Sequence, residues 1–483
     1  MNDDRRDAAP DRKEDGTRRD GRLPLGVAIV GAGPSGFYAA EAILKAGIDC
    51  TIDLLDALPS PFGLIRGGVA PDHQTTKRVT RAYEKIAKDS RVRYFGNVEI
   101  GRDLALEELR RLYDAVVLAV GAPLDRRLDI PGGDKEGVYG SAAFVGWYNG
   151  HPGHVDLAPG LDCERAVVVG NGNVALDVAR VLVKTPQEMA SSDLPDYAAH
   201  AIHGAPIREV VVIGRRGPLE TRFSNKELSE LAELADCSTL VDPAELPAGV
   251  DPAEEERERR VKEKNLATFR GFAATPDGSK RKTLRFRFFT RPVEVLGDAR
   301  VEALRCERTE LKEGRAVGTG RFFDIPCGLV VAAIGYRMAA LQGLAIDPAD
   351  GTVVNDDGRV ERGLYVVGWA RRGPVGVIGS SKPDGDSVAR WIAEDLTASG
   401  KEGRKGLEKL LSERGRRSVS FADWLRIAKA EETAASPGAP RRKLTTVEEM
   451  LAVLDRPAAA EPAPRAAKTL QNPGMTGGPP RTK

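Results

Sequence analysis

The sequence predicts an α/β fold built from two three-layer units. Two glycine-rich hexapeptides support this prediction, GAGPSG at 31–36 and GNGNVA at 170–175. Each follows a short apolar run rich in β-branched residues and precedes a helix-forming stretch. This strand–glycine–helix order is typical of Rossmann-like units, in which the glycines let backbone N–H groups approach a pyrophosphate. Two such motifs in one chain therefore predict two dinucleotide sites, the arrangement expected of an enzyme that holds a flavin and a nicotinamide together.

Length and composition agree with two large domains. The chain has 483 residues, of which 41% are hydrophobic, and single domains rarely grow that long. Lysine and arginine (72) nearly balance aspartate and glutamate (71), so the net charge gives no reason to expect nucleic acid or a membrane as a partner. No apolar run in the sequence is long enough to span a bilayer.

The cysteines exclude several kinds of redox centre. The five cysteines lie far apart in the sequence and form no CxxC pair. The chain therefore lacks the spacing that a redox-active disulfide, a zinc ribbon or an iron–sulfur cluster needs, and we expect no metal. A sparse, odd number of cysteines is typical of a reducing compartment, so we expect a cytoplasmic protein.

Both ends of the chain are expected to be disordered. Residues 1–24 are highly charged and rich in acids, which argues against a transit peptide or a secretory signal. Residues 456–483 are rich in alanine, proline and glycine. The ordered part is therefore predicted to lie between these two segments.

The first unit opens with a β-α-β segment. A strand leads through GAGPSG into a helix predicted over 37–46, and a second strand follows at 50–55. Asp56 stands at the end of that strand, where an acid in Rossmann-like units accepts a hydrogen bond from a ribose hydroxyl. The glycines of the hexapeptide and Asp56 together form the first candidate dinucleotide site, with Gly31, Gly33 and Gly36 at the turn.

Two arginines mark the second candidate site. Its glycine motif has Ala175 at the third glycine position, and the next predicted strand covers 210–214. Arg215 and Arg216 follow that strand directly. A site for NADH would present an acid there, whereas two guanidinium groups suit the 2′-phosphate of NADPH. The second site is therefore predicted to bind NADPH.

Three further features are weaker signals on their own. Glu227 and Glu230 stand three apart on a helix predicted over 225–235, which puts them on one face, but a solvated acidic face is the simpler interpretation. His73 follows a loop rich in glycine and proline, and a lone histidine is more often structural than catalytic. Trp369 and the glycine-rich run after it follow the last predicted strand, where an indole and bare N–H groups could contact a flavin.

Four separated motifs carry a resemblance to a known family. In chain order they are DALPSPFGLIRGGVAPDH (56–73), GNGNVALDVAR (170–180), VIGRRGP (212–218) and GWARRGPVGVIGSSKPDG (368–385). Together they resemble the adrenodoxin-reductase-like family of ferredoxin–NADP reductases, in its bacterial form.

The order of the predicted strands also indicates a definite domain organisation. An NADP-binding domain, residues 122–335, would be inserted into a discontinuous FAD-binding domain made of residues 25–121 and 336–455. A strand at 328–335 resembles the one at 114–121, as expected if the chain returns to the first domain there.

The resemblance also implies residue roles in binding FAD. Beside the glycines and Asp56, the residues that match the family's FAD contacts are Ser35, Leu64, Val98, Trp369, Gly376, Val377 and Ile378. The family commonly has glutamate where this chain has Asp56. The shorter acid is expected to reach the ribose if its strand shifts slightly.

The implied NADP contacts fall at the second motif and beyond it. They are Gly172, Asn173, Val174, Ala175, Arg215, Arg216, Glu227 and Gly376. Among them, the two arginines and Glu227 match contacts of the 2′-phosphoribose. His73 and Glu230 match a pair that lies near the flavin, so they are the candidate catalytic residues.

The function implied by the resemblance is that of an FAD-dependent NADPH:ferredoxin oxidoreductase. Hydride would pass from NADPH to flavin N5, and single electrons would then pass to a separate ferredoxin, because this chain lacks the cysteines for a cluster of its own. A flavin monooxygenase or oxidase of the same architecture and a non-enzymatic NADPH-sensing module remain alternatives. A disulfide reductase would need a close cysteine pair. The oligomeric state is left open, and a monomer is compatible with the sequence.

Overall fold

The computed structural model describes residues 23–456. Almost all of the two terminal segments expected to be disordered, 1–22 and 457–483, lies outside this range. Within it, no helix is long and apolar enough to cross a membrane.

The first part of the chain alternates strands with helices. Its elements are β1 (Leu25–Val30), α1 (Pro34–Lys45), β2 (Cys50–Leu55), α2 (Leu64–Gly67), α3 (Gln74–Lys77), α4 (Thr80–Ala87), β3 (Val92–Phe95), α5 (Leu106–Leu112) and β4 (Ala115–Leu118). Helix α1 begins three residues earlier than predicted, because Pro34 needs no hydrogen-bond acceptor in the first turn.

The middle part forms a second αβ segment and then an antiparallel one. Its elements are β5 (Leu124–Asp125), β6 (Val138–Gly140), α6 (Ser141–Tyr148), β7 (Arg165–Val169), α7 (Asn173–Val183), α8 (Pro186–Met189), α9 (Asp196–Gly204), β8 (Glu209–Ile213), α10 (Asn225–Ser229), β9 (Cys237–Val241), α11 (Glu256–Ala273), β10 (Lys282–Arg287), β11 (Thr290–Leu296), β12 (Ala303–Lys312), β13 (Arg315–Pro326) and β14 (Leu329–Ala332).

The last part is mostly helical. Its elements are β15 (Tyr336–Arg337), β16 (Arg359–Glu361), β17 (Leu364–Val366), α12 (Trp369–Arg372), α13 (Lys382–Asp395), α14 (Arg404–Glu413), α15 (Phe421–Thr433) and α16 (Val447–Asp455).

The first sheet has six strands in the order β16-β17-β4-β1-β2-β3. All neighbours are parallel except the β16–β17 pair at the edge. Alternate residues of β1 face different layers, because side chains alternate along a strand. Val27 and Ile29 belong to the core that includes α1, α13 and α15. Ala28 and Val30 belong to the core that includes α5 and α14, so helices cover both faces.

The second sheet also has six strands, all parallel, in the order β6-β14-β7-β8-β10-β9. One face packs against helices that include α6, α7, α9 and α11. The other face packs against a three-stranded antiparallel sheet, β11-β12-β13. Both units therefore have three layers, as the α/β prediction requires, but the outer layer of the second is a sheet instead of helices.

The strands of the second sheet lie in sequence between the two parts of the first. The chain crosses between the sheets at β5 and again at β15, and these two short strands pair antiparallel, with Leu124 opposite Arg337. The domain boundaries named from the sequence stay a prediction. Ligands of open parallel sheets bind at the carboxyl ends of the strands, which is where both glycine motifs fall.

Candidate functional site

The first glycine loop connects β1 to α1 and is shaped for close approach. A Cβ added at Gly36 would lie 2.0 Å from the carbonyl oxygen of Gly31, so only glycine fits there. Gly33 is the N-cap of α1, and in the described part of the chain no side chain caps this helix start. The free N–H groups of the first turn are therefore available to a phosphate.

Asp56 lies next to this loop at the end of β2. Its carboxylate accepts hydrogen bonds from the backbone N–H of Ala32 at 2.9 Å and of Leu58 at 3.0 Å. Burial raises the pKa of Asp56 to about 6, although these two hydrogen bonds act to lower it. Within residues 23–456 its partners are these two backbone N–H groups and no cation, so the carboxylate remains available to a ribose hydroxyl.

Other predicted FAD contacts surround the same loop. The Ser35 hydroxyl donates to Ser381 Oγ at 3.1 Å. Val98 is buried, and its N–H donates to the carbonyl oxygen of Asp56 at 2.9 Å. Leu64 opens α2 with 42% of its surface exposed.

The segment after β17 brings a second apolar surface. Trp369 begins α12 and packs on Tyr336, with ring centroids 5.7 Å apart. Gly376 has a φ of 93°. Val377 is 69% exposed, and Ile378 packs partly into the core of the first sheet. An exposed valine in this position is suited to cover a planar ring.

The second glycine loop connects β7 to α7. Gly172 is the N-cap of α7, again without a side-chain cap in the described part of the chain. Asn173 accepts a hydrogen bond from the N–H of Ser224 at 2.9 Å through its Oδ1. Val174 packs against the helical core and Ala175 is buried within it. The loop therefore offers backbone N–H groups on a firmly packed base.

Arg215 and Arg216 follow β8 directly, as predicted. Their main chain is fixed, because the carbonyl oxygen of Arg215 accepts from Thr309 Oγ1 at 2.7 Å and that of Arg216 accepts from Phe289 N–H at 3.2 Å. Arg215 is exposed and Arg216 half-buried. Neither guanidinium pairs with a carboxylate within residues 23–456, so both remain available to a phosphate.

A cluster of charged groups forms around His73. His73 Nε2 lies 3.0 Å from Glu230 Oε2 and 3.3 Å from Glu227 Oε2. His73 Nδ1 lies 3.8 Å from Asp177 Oδ1. The histidine follows the second strand of the first sheet, whereas the three acids belong to the segment that forms the second sheet. The structure therefore brings the predicted His73–Glu230 pair together at a border between the two units.

The two glutamates face His73 instead of forming a solvated face. Helix α10 ends at Ser229, and Glu230 begins a 3-10 turn, so the helix is shorter than predicted. No contact joins Glu227 to Arg215 or Arg216 among the described residues. The geometry places Glu227 beside the histidine, and its phosphoribose role stays a prediction.

Arg180 is a component of this cluster that the sequence analysis missed. The Arg180 guanidinium is completely buried. Its Nε and Nη2 donate hydrogen bonds to the Asp72 carboxylate at 2.8 and 3.1 Å. Nη2 also donates to the Asp177 carboxylate at 2.8 Å. Nη1 lies 3.7 Å from Glu227 Oε2, and within residues 23–456 neither atom has a hydrogen-bond partner. The available signal was a charged pair inside the otherwise apolar helix VALDVARVLV.

Burial and charge set the protonation of the acids. Burial, with repulsion from Asp177, raises the pKa of Glu227. Burial also raises the pKa of Asp177, although Arg180 opposes it. Burial alone would raise the pKa of Asp72 too, but hydrogen bonds from Arg180 and the charge of Lys184 lower it far below its usual range. The carboxyl groups of Glu227 and Asp177, whose pKa values are raised, are therefore the ones in the cluster that accept a proton more readily. The carboxylate of Asp72, whose pKa is lowered, stays charged.

Three groups of the cluster have the spacing of metal ligands. Ligand atoms of His73, Asp177 and Glu227 all lie within 4.8 Å of one another. Arg180 already supplies positive charge to both acids, at 2.8 Å from Asp177 and 3.7 Å from Glu227. We therefore assign no metal to this position.

The fold and these sites define a class of protein. Two dinucleotide loops at the carboxyl ends of two parallel sheets, with a titratable cluster at their border, are the features of an oxidoreductase with two nucleotide sites. In agreement, the family described as pyridine nucleotide-disulphide oxidoreductase matches residues 25–235.

Individual relatives narrow the class. The NADPH-ferredoxin reductase FprA of Mycobacterium leprae is 41% identical over 447 residues, 88% of this chain and 98% of the relative. The mitochondrial NADPH:adrenodoxin oxidoreductase of Arabidopsis thaliana is 40% identical, over 89% of this chain and 95% of the relative. The solved structure of Mycobacterium tuberculosis FprA in complex with NADPH matches with a TM-score of 0.85 at 40% identity, over 89% and 99% of the two chains. The chain belongs to this family of NADPH-ferredoxin and NADPH:adrenodoxin reductases, which confirms the resemblance seen in the sequence.

Proposed function

We propose that this protein is an FAD-dependent NADPH:ferredoxin oxidoreductase. The observation that carries the proposal is that the two glycine loops have side chains of opposite charge beside them. The carboxylate of Asp56 lies at the first loop, and the guanidinium groups of Arg215 and Arg216 lie at the second. The cluster around His73 gives the two sites a common border. The relatives are named for NADPH and for ferredoxin or adrenodoxin, which supports the same substrates here.

The residues of the first loop fit FAD. The uncapped start of α1 offers N–H groups to the pyrophosphate, and Gly36 leaves room for its approach. The ionised carboxylate of Asp56 would accept a ribose hydroxyl, and the exposed side chains of Leu64 and Val377 would cover the ring system. FAD, when bound, supplies the hydride acceptor and returns the electrons one at a time.

The residues of the second loop fit NADPH. The start of α7 offers N–H groups to the pyrophosphate, and Arg215 and Arg216 would bind the 2′-phosphate through charge-assisted hydrogen bonds. Glu227 Oε2 is buried without a hydrogen bond among residues 23–456. We propose that it accepts an N–H of the nicotinamide carboxamide, since its position is beside His73.

His73 and Glu230 are proposed to hold and move a proton at this border. Their Nε2–Oε2 distance of 3.0 Å is short enough for direct transfer between the ring and the carboxyl group. No protein nucleophile is needed, because hydride transfer depends on holding two rings in contact. The partial burial of His73, with 13% of its side chain exposed, limits the access of water.

The remaining parts of the proposal concern the partner, the location and the domains. We propose a separate ferredoxin as the electron acceptor and the cytoplasm as the location, which the sparse cysteines support. We also propose that residues 25–121 and 336–455 form the FAD domain and residues 122–335 the NADP domain. The strand order of the two sheets supports this division.

Anaerobic stopped-flow mixing tests the proposal. NADPH should bleach the yellow flavin absorbance quickly and NADH slowly, and oxidised ferredoxin added afterwards should restore the colour. A protein that NADPH cannot bleach would contradict it. In a separate aerobic assay, rapid oxygen consumption with a hydroxylated product would instead indicate a monooxygenase. A colourless protein that binds NADPH without turnover would indicate a sensing module.

A further inference from the structure

The segment that carries His73, residues 69–77, is tied to the inserted unit on one side by Arg180. The Arg180 guanidinium is fully buried and donates a bidentate pair of hydrogen bonds to the Asp72 carboxylate, from Nε at 2.8 Å and from Nη2 at 3.1 Å. Lys184, the C-cap residue directly after α7, also binds Asp72 at 2.7 Å. Asp72 directly precedes His73, so helix α7 fixes the main chain next to the histidine.

The other end of the same segment is tied by Asp193. Lys77 Nζ donates to both oxygens of the Asp193 carboxylate, at 2.6 and 2.9 Å. The N–H of Asp193 donates to the carbonyl oxygen of Pro71 at 3.2 Å. Asp193 follows α8 in the inserted unit and has only 3% of its side chain exposed.

A second lysine reaches Asp193 from the C-terminal part of the chain. Lys443 Nζ lies 3.4 Å from Asp193 Oδ1 and donates to the carbonyl oxygens of Asn149 at 2.9 Å and Arg66 at 3.1 Å. These contacts join three parts of the chain around one carboxylate. Burial alone would raise the pKa of Asp193, but the two lysines lower it to about 2, so its charge persists throughout the neutral range.

Stability alone does not account for these buried ion pairs. A buried pair gains little over well-packed apolar side chains, because removing two charges from water offsets most of their attraction. A bidentate Arg–carboxylate contact fixes the relative orientation of the two side chains as well as their distance. Both contacts here join the His73 segment to the inserted unit, on either side of the histidine.

We propose that Arg180 and Asp193 are positioning residues that clamp the 69–77 segment onto the inserted unit and so fix His73 between the two nucleotides. This inference rests on the proposed function. The clamp would hold His73 in place before NADPH arrives and would so determine where the nicotinamide lies relative to the flavin. Neither residue needs to contact the reacting atoms for this role.

Variants of both residues test the clamp. We expect Arg180→Met and Asp193→Asn to lower the limiting rate of flavin reduction at saturating NADPH at least tenfold, because misplacement by about 1 Å can cost roughly 100-fold. The dissociation constant of NADPH should change little, since the phosphate contacts remain. Arg180→Lys keeps the positive charge but cannot form the bidentate contact, so it should recover only part of the wild-type reduction rate.

A spectroscopic measurement separates positioning from general damage. Adding NADP+ to the holoprotein after anaerobic reduction with dithionite should give a charge-transfer absorbance from the reduced flavin to the stacked nicotinamide, and the clamp variants should weaken it while retaining FAD. Arg93→Met, which breaks an exposed ion pair with Glu408, serves as the control and should change neither reading.

The outcomes distinguish the two proposals. Variants that keep the wild-type limiting rate, or lose rate only in proportion to lost FAD, would overturn the clamp. If Arg180→Met does not fold, Asp193→Asn and Arg180→Lys decide the question. A wild-type protein that NADPH cannot reduce would overturn the proposed function, and the charge-transfer absorbance would still report the placement of the rings.

Discussion

Replacing Arg215 and Arg216 with alanine should remove the preference for NADPH over NADH. A hydrogen bond to a charged group contributes about 1.5–3 kcal/mol. Arg215 is exposed, so solvent screening favours the lower value of about 1.5 kcal/mol, which is roughly tenfold in affinity. Arg216 is half-buried, and about 3 kcal/mol there would be roughly 150-fold. Neither arginine has to leave an ion pair within residues 23–456, so little of this gain is offset.

Steady-state kinetics with both nucleotides measures the effect. The ratio of kcat/KM for NADPH to that for NADH should fall about tenfold in Arg215→Ala and by a larger factor in Arg216→Ala, while the values for NADH change little. Arg321→Ala, which removes an exposed arginine of β13, is the matched control. An unchanged ratio in the double variant would refute the assignment of the 2′-phosphate site.

Three other changes test separate parts of the structure. As pH falls below about 6, protonation of Asp56 should weaken FAD binding to the apoprotein by up to about tenfold per pH unit. FAD fluorescence measures this affinity, and Asp56→Asn should abolish its pH dependence. An affinity of the wild-type protein that does not change with pH would contradict the ribose contact. Gly36→Ala should yield colourless protein, because the new Cβ would lie 2.0 Å from a carbonyl oxygen, whereas Gly172→Ala meets nothing within 4 Å and should stay yellow. Glu431→Ala should lower the free energy of unfolding by about 3–5 kcal/mol in urea titrations, because it leaves the largely buried guanidinium of Arg66 without its carboxylate partner. A loss below about 1 kcal/mol would show that the fold does not need this ion pair.

The fold could be predicted where local pattern and topology coincide. Strand β2 has the predicted bounds, Cys50–Leu55, because a short run rich in apolar and β-branched residues lies between a helix-ending glycine and a proline-rich loop. The parallel class followed from the same signals, since a helix between two buried strands forces a crossover. The place of Arg215 and Arg216 just beyond a strand was predicted in the same way and is confirmed by β8, whereas their role at a 2′-phosphate stays a prediction.

The outer layer of the second unit could not be predicted as completely. Most positions of β13 are exposed and most positions of β11 are only partly buried, so neither strand has the clear alternation of a half-buried strand. Arg180 was missed for a different reason. Its partner Asp72 is 108 residues away, and such a contact depends on how two units meet, which no local pattern records.

The pairing of β5 with β15 has a consequence for how the chain is divided. Paired strands hold their Cα atoms about 5 Å apart, so the two ends of the inserted segment emerge side by side. A segment with adjacent ends can be removed or exchanged without stretching the chain that remains. The first sheet could then close over a short linker, and the excised segment could fold with both of its ends at one place on its surface. The nucleotide preference and the flavin could thus be exchanged between relatives as two separate segments, provided that the exchanged segment keeps the partners of Asp72 and Lys77.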